Sequence, residues 1–141
     1  LTARPNFAGV WRMLRGESRF VGQTPVSMLV RIDHNEPVIL QTVISVAADG
    51  VERRSTFRIT TDGRAFENAL GGLTLVGRAG WSEDECEIVT TLNAGERVTT
   101  YRDYWRLSPD GRRLRMEHRD DPLAGQLVAL EPSPEDAAAF A

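Results

Sequence analysis

Tyr101, Asp103 and His118 are the residues of this 141-residue chain whose types and spacing suit acid–base or ligand-orienting chemistry. Period-two alternation over 97–107 sets Tyr101, Asp103, Trp105 and Leu107 on one face, opposite Arg102, Tyr104 and Arg106. Over 112–119 it sets Leu114, Met116 and His118 opposite Arg113, Arg115, Glu117 and Arg119. A turn at Ser108 to Gly111 that pairs Leu107 with Arg112 places Trp105 opposite Leu114, Asp103 opposite Met116 and Tyr101 opposite His118. Asp103 and His118 then become diagonal neighbours on one face, about 7–8 Å apart at Cα. An inward aspartate is costly unless it is hydrogen-bonded or ion-paired, and His118 can supply the partner. Desolvation of such a pair moves both pKa values. A His–Asp pair beside a tyrosine hydroxyl can perform general acid–base catalysis. The same three groups can instead orient a ligand's polar end, or pin strand register by a structural hydrogen bond. All three uses remain open on the sequence.

Other chemistry is constrained more tightly. His34 ends a strand just before Asn35-Glu36-Pro37, where it either meets a ligand at the barrel rim or caps the turn. Two histidines and one cysteine are too few to expect a metal site. Cys86 alternates with charge in Cys86-Glu87-Ile88-Val89, reads as a small buried residue, and has no cysteine to pair with. All 17 positive charges are arginine, which excludes a Schiff-base lysine and a P-loop. There is no Gly-x-Ser-x-Gly, Gly-x-Gly-x-x-Gly or His-Glu-x-x-His, so hydrolase, dinucleotide and zinc-protease readings lack their motifs, and no cofactor is expected. Glu52, Glu67 and Glu96 fall outward or near turns and form no glycosidase pair. The net charge of −3 gives no reason to expect nucleic acid, and no apolar run is long enough for a transmembrane helix.

The elements that must position these groups read almost entirely as strands. Turn signals recur at Asp49-Gly50, Asp62-Gly63, Gly71-Gly72, Ser82 to Glu85, Ala94-Gly95 and Ser108 to Gly111. Between them lie ten candidate strands: 7–13, 26–34, 38–47, 51–60, 64–70, 73–81, 85–93, 97–107, 112–119 and 126–131. Links this short permit only antiparallel pairing, and ten strands in one open sheet leave two long edges. An up-and-down β-barrel removes the edges, with a two-layer sandwich as the alternative. Arg15 to Phe20 has room for a turn or two of helix, and Ser133 with Pro134 behind it can cap a last one. The reading is one domain over 1–141, barrel over 6–131 and tail over 132–141.

The inward face mixes medium apolar residues with Thr, Ser, Asp and His. It includes Met28, Val30 and Ile32, then Phe57 and Ile59, then Leu75 and Trp81, while the faces of 38–47 cannot be assigned. An apolar wall with a few polar groups suits a ligand-holding barrel. The expected occupant is a small hydrophobic or amphipathic molecule among Phe57, Ile59, Leu75, Trp105, Leu114 and Met116, with His34 at the rim and Asp103, Tyr101 and His118 at its polar end. The alternatives are a cofactor-free cyclase, isomerase or lyase using Asp103, His118 and Tyr101, and an interaction module whose barrel is filled by its own side chains. A homodimer is left open.

The opening Phe7-Ala8-Gly9-Val10-Trp11 resembles the Gly-x-Trp first strand of the calycin group, lipocalins and fatty-acid-binding proteins. With Ile32-Asp33-His34, Thr61-Asp62-Gly63 and the late Asp103-Tyr104-Trp105 to Asp110-Gly111 hairpin, the layout over 6–131 resembles small bacterial lipocalin-like proteins. The resemblance implies an antiparallel barrel whose first tryptophan plugs the closed end, and proteins often exported behind a signal peptide. It implies no single ligand. Arg102 and Tyr104 have the spacing of the Arg-x-Tyr carboxylate clamp but face outward, so a fatty acid is not the expected occupant. The start Leu1-Thr2-Ala3, without methionine, suggests that something upstream has been removed.

Overall fold

A computed structural model describes residues 4–141; residues 1–3, on which the expectation of a removed upstream segment rests, lie outside it. Ten strands run β1 (Gly9–Met13), β2 (Ser27–Asn35), β3 (Val38–Val46), β4 (Glu52–Thr60), β5 (Phe66–Leu70), β6 (Leu73–Ser82), β7 (Glu85–Ala94), β8 (Arg97–Leu107), β9 (Leu114–His118) and β10 (Leu127–Pro132). They form one antiparallel sheet in the order β4-β3-β2-β1-β10-β9-β8-β7-β6-β5. Every neighbour is sequential except β1 with β10, where Trp11 pairs with Pro132 and closes the meander on itself. The result is an all-β, up-and-down barrel that is closed except between β4 and β5.

That gap is bridged by a side chain rather than a ladder. Arg58 N donates to Asn68 Oδ1 at 2.8 Å, and Asn68 Nδ2 donates to Arg58 O at 3.0 Å. One carboxamide thus stands in for the peptide unit that a tenth ladder would supply, and both backbone groups of Arg58 are satisfied.

One end of the barrel is solid. Phe7, Trp11, Val30, Ile32, Ile39, Trp105, Leu114 and Leu130 are all buried there in a single core. Phe7 stacks on His34 at 5.5 Å and Trp81 at 5.6 Å between ring centroids, and meets Trp105 edge-on at 5.6 Å. Its backbone is anchored on both sides: Phe7 N donates to His34 Nδ1 at 3.0 Å, and Trp11 Nε1 donates to Phe7 O at 2.9 Å. Burying side chains this large contributes about 1.5–3 kcal/mol each, so the plug is a main source of stability. Gly9, at φ +144°, takes a backbone conformation that glycine tolerates and that turns the chain from the plug into β1.

Two details of the sequence reading change. The last hairpin pairs Leu107 with Leu114, Trp105 with Met116 and Asp103 with His118, two residues from the expected register. The reason is the turn: Ser108 Oγ accepts from Arg113 N at 3.0 Å and Asp110 Oδ1 from Arg112 N at 3.0 Å, which draws both arginines out of the strand. A shift of two preserves every face, so the inward set is unchanged while Asp103 and His118 move from diagonal to directly opposite. The tail is also an element in its own right. A 3-10 helix, Pro134–Phe140, follows Ser133 and packs against β1 and β2, with Arg54 donating to Ala139 O. The Ser133 hydroxyl donates to the Asp136 and Glu135 carboxylates and makes no backbone cap. In the segment 14–25 the only helix is a single 3-10 turn, Arg15–Glu17.

Candidate functional site

Above the plug the barrel is hollow. A cavity of about 380 Å³ lies mainly between β4 to β8, with β9 and the loop after it on one side. Pockets of about 300–1,000 Å³ suit small-molecule ligands, so this one sits at the small end of that range. Its apolar wall includes Phe57, Ile59 and Leu75, and Trp105 extends into it from the plug. Tyr101, Asp103 and His118 line it as well.

Three of the residues expected around the ligand lie elsewhere. Leu114 and Met116 are not in the cavity wall but buried in the core, opposite Leu130 and Val128 of β10, because the hairpin register carries them toward the plug. His34 is not at a ligand rim: both its ring nitrogens are spent, Nδ1 accepting from Phe7 N and Nε2 donating to Glu36 Oε1 at 2.8 Å. Glu36 also accepts from Thr61 Oγ1 at 2.8 Å and Trp81 Nε1 at 3.2 Å, and the hydrogen bonds from His34, Thr61 and Trp81 together outweigh the effect of its burial and hold its carboxyl below the usual range. This cluster ties the β2–β3 turn to the plug.

Asp103 is the most informative group in the lumen. Its Oδ2 accepts from Trp105 Nε1 at 2.9 Å. Its Oδ1 is closed off from solvent and has no hydrogen-bond partner among the described residues. Burial pushes its carboxyl above the ordinary aspartate range, against the opposing pull of His118 and the Trp105 hydrogen bond. A buried, unpaired carboxylate oxygen costs stability and calls for an explanation.

His118 takes a different partner from the one its spacing suggests. Its Nδ1 lies 2.8 Å from Asp121 Oδ2, in the loop between β9 and β10. The Asp121 side chain is fully buried and also accepts from Arg102 N at 2.7 Å and Leu123 N at 2.8 Å. Burial alone would raise its pKa, but these three donors outweigh it and hold the carboxyl below the ordinary value. An ionised Asp121 fixes the proton on Nδ1 and leaves Nε2 as the free nitrogen of His118. The Tyr101 ring meets His118 edge-on, 6.4 Å between centroids, and its hydroxyl has no hydrogen-bond partner among the described residues. Asp121 carried no signal in the alternation of any strand; only the loop fold brings it under His118.

Several lining residues lie on segments whose faces were unread. Gln41 sits opposite Phe57 on β3, where the apolar run hid the alternation. Phe66, Asn68 and Leu123 also line the lumen. Phe66 lies directly across from Gly77, and its ring occupies the space a side chain there would need.

Outside the barrel, Tyr104 donates to Glu87 Oε2 at 2.8 Å and lies under the Arg119 guanidinium, which is bidentate to Glu85 at 2.9 and 2.8 Å. The Arg102 and Tyr104 spacing therefore makes no clamp in the lumen. Cys86 is fully buried and its thiol is pushed up to about 12 by that burial. Among the described residues no three His, Cys, Asp or Glu side chains gather to hold a metal ion, and no helix is long and apolar enough to cross a membrane.

No family model and no curated sequence matches this chain. Among solved structures, a variant of the fluorescent protein UnaG has a similar fold, with a TM-score of 0.54 at 10% identity over 90% of this chain and 96% of that one. The likeness and the nearly closed ten-stranded barrel together establish a calycin-like fold.

Proposed function

We propose that this barrel binds a small hydrophobic or amphipathic molecule in its lumen. Its apolar body would lie against Phe57, Ile59, Leu75 and Trp105, and its polar end would face Asp103, Tyr101 and His118. The observation that carries this reading is the pairing of a cavity of about 380 Å³ with a buried carboxylate oxygen that has no hydrogen-bond partner among the described residues. A barrel packed with its own side chains would have neither. The motif likeness to bacterial, exported lipocalin-like proteins belongs to the same proposal and rests on the sequence alone.

Trp105 forms part of the cavity wall, so its emission reports occupancy. Titration with a panel of apolar ligands is expected to shift the emission of the native protein and to lose most of that response in Trp105→Phe. Unchanged emission across the panel, supported by calorimetry showing no heat of binding, would overturn the reading.

The buried Asp121–His118 contact favours a second reading. A histidine whose tautomer is fixed by a carboxylate is the usual form of a general base, so a cofactor-free isomerase, cyclase or lyase remains the alternative. Here His118 Nε2 would move the proton, with Tyr101 and Asp103 holding the substrate. Turnover that is abolished in His118→Gln while ligand binding survives would select this reading over simple binding.

A further inference from the structure

The fixed charge of the lumen narrows the class of ligand. This inference rests on the binding reading above and goes beyond it. The chain has 17 arginines, yet none lines the cavity. Among the described residues the only basic side chain there is His118, and its Nδ1 is already committed to Asp121. The acid in the wall is Asp103, with a second carboxylate, Asp121, buried behind the imidazole. A ligand carboxylate would therefore meet like charge with no guanidinium to receive it. What the wall does not supply is a donor to Asp103: the residue lines the cavity, and its Oδ1 is buried and has no hydrogen-bond partner among the described residues.

We propose that the occupant is a lipophilic amine whose ammonium group donates to Asp103 Oδ1 while its hydrocarbon part fills the apolar wall. A neutral alcohol also supplies a donor, but leaves the carboxylate charge uncompensated in a low-dielectric site. A charge-assisted hydrogen bond is roughly twice as strong as a neutral one. An ammonium has further N–H groups to place, and the unpartnered Tyr101 hydroxyl, two residues along the same face, is available to accept one. Burial makes Asp103 prone to take up a proton in the empty barrel; a bound cation reverses that tendency and keeps the carboxylate ionised.

Three probes of equal chain length separate the possibilities: decylamine, decanol and sodium decanoate, titrated at neutral pH by tryptophan emission and calorimetry. Decylamine is expected to bind about tenfold or more tightly than decanol, as befits a hydrogen bond to a charged group, and decanoate to bind most weakly. In Asp103→Asn the amine should fall to within about threefold of decanol while decanol itself is little changed. Decanol or decanoate binding as tightly as the amine overturns the inference but leaves lumen binding intact. So does an amine preference that survives in Asp103→Asn. Failure of all three probes to bind overturns both. Should the variant not fold, the ranking of the three probes on the native protein decides.

Discussion

His118 Nδ1 donates to Asp121 Oδ2 across 2.8 Å, although Asp103 stands directly opposite it in the β8–β9 ladder. The two carboxylates near one imidazole are thus differently employed. Asp121 is saturated with donors and held ionised; Asp103 has one donor and one bare oxygen.

Removing the saturated partner should be costly. Asp121→Ala strands the N–H groups of Arg102, Leu123 and His118, with an expected loss of about 1–3 kcal/mol in urea unfolding. Because the folded pKa of Asp121 is lowered, its contribution is complete above the ordinary aspartate pKa and is lost as pH falls through the folded value. The native protein should lose stability over that acid window, and Asp121→Asn should show less of that dependence. Parallel melts of the two proteins across the window check this.

Asp103 should behave in the opposite sense. Its folded pKa is raised, so the protein binds this proton more tightly folded than unfolded. The cost is absent below the ordinary aspartate pKa, grows as pH rises, and is complete above the folded value. Asp103→Asn is therefore expected to stabilise the empty barrel by about 1–3 kcal/mol at neutral pH and to be nearly neutral in acid. Unfolding at the two pH values without added ligand measures the difference.

Gly77 cannot carry a side chain without moving its neighbours. A Cβ there would lie 2.6 Å from Phe66 Cζ and 2.8 Å from Thr90 Cγ2. Gly77→Ala is expected to cost about 1–3 kcal/mol by overpacking and to displace the Phe66 ring within the lumen. Paired with Phe66→Leu, part of the loss should be recovered, the approach to Thr90 remaining, and a double-mutant cycle would show the Gly77–Phe66 coupling.

The carboxamide bridge at the seam is testable on its own. Asn68→Ala removes both hydrogen bonds to the Arg58 backbone, for an expected loss of about 1 kcal/mol. Amide exchange at Arg58 should accelerate more than exchange inside the β2–β3 ladder.

The barrel was legible in the sequence because its turns and alternation are local signals. Asp62-Gly63, Gly71-Gly72 and Ala94-Gly95 mark three of its links, and the inward faces of β4 and β8 follow from period two alone. The register of the last hairpin was not, because Ser108 and Asp110 recruit the amides of two residues that read as strand. Of the site, Tyr101, Asp103, Trp105, Phe57, Ile59 and Leu75 emerge from strand alternation and line the cavity. Asp121 does not, since a loop carboxylate has no periodicity. The turn alternative read for His34 agrees with its bond to Glu36, while its contact with Phe7, 27 residues away in the chain, has no local signal.

The division of the barrel into a filled half and a hollow half separates two selective pressures. Phe57, Leu75 and Tyr101 line the cavity and are not members of the buried core cluster, and sites without shared partners contribute nearly independently to folding. Ligand preference can therefore drift, or be rebuilt by an engineer, while the sealed base goes on supplying the folding free energy. Ile59, Phe66, Ile88 and Trp105 belong both to the buried core and to the cavity wall, and that is where evolution of a new specificity would meet its firmest resistance.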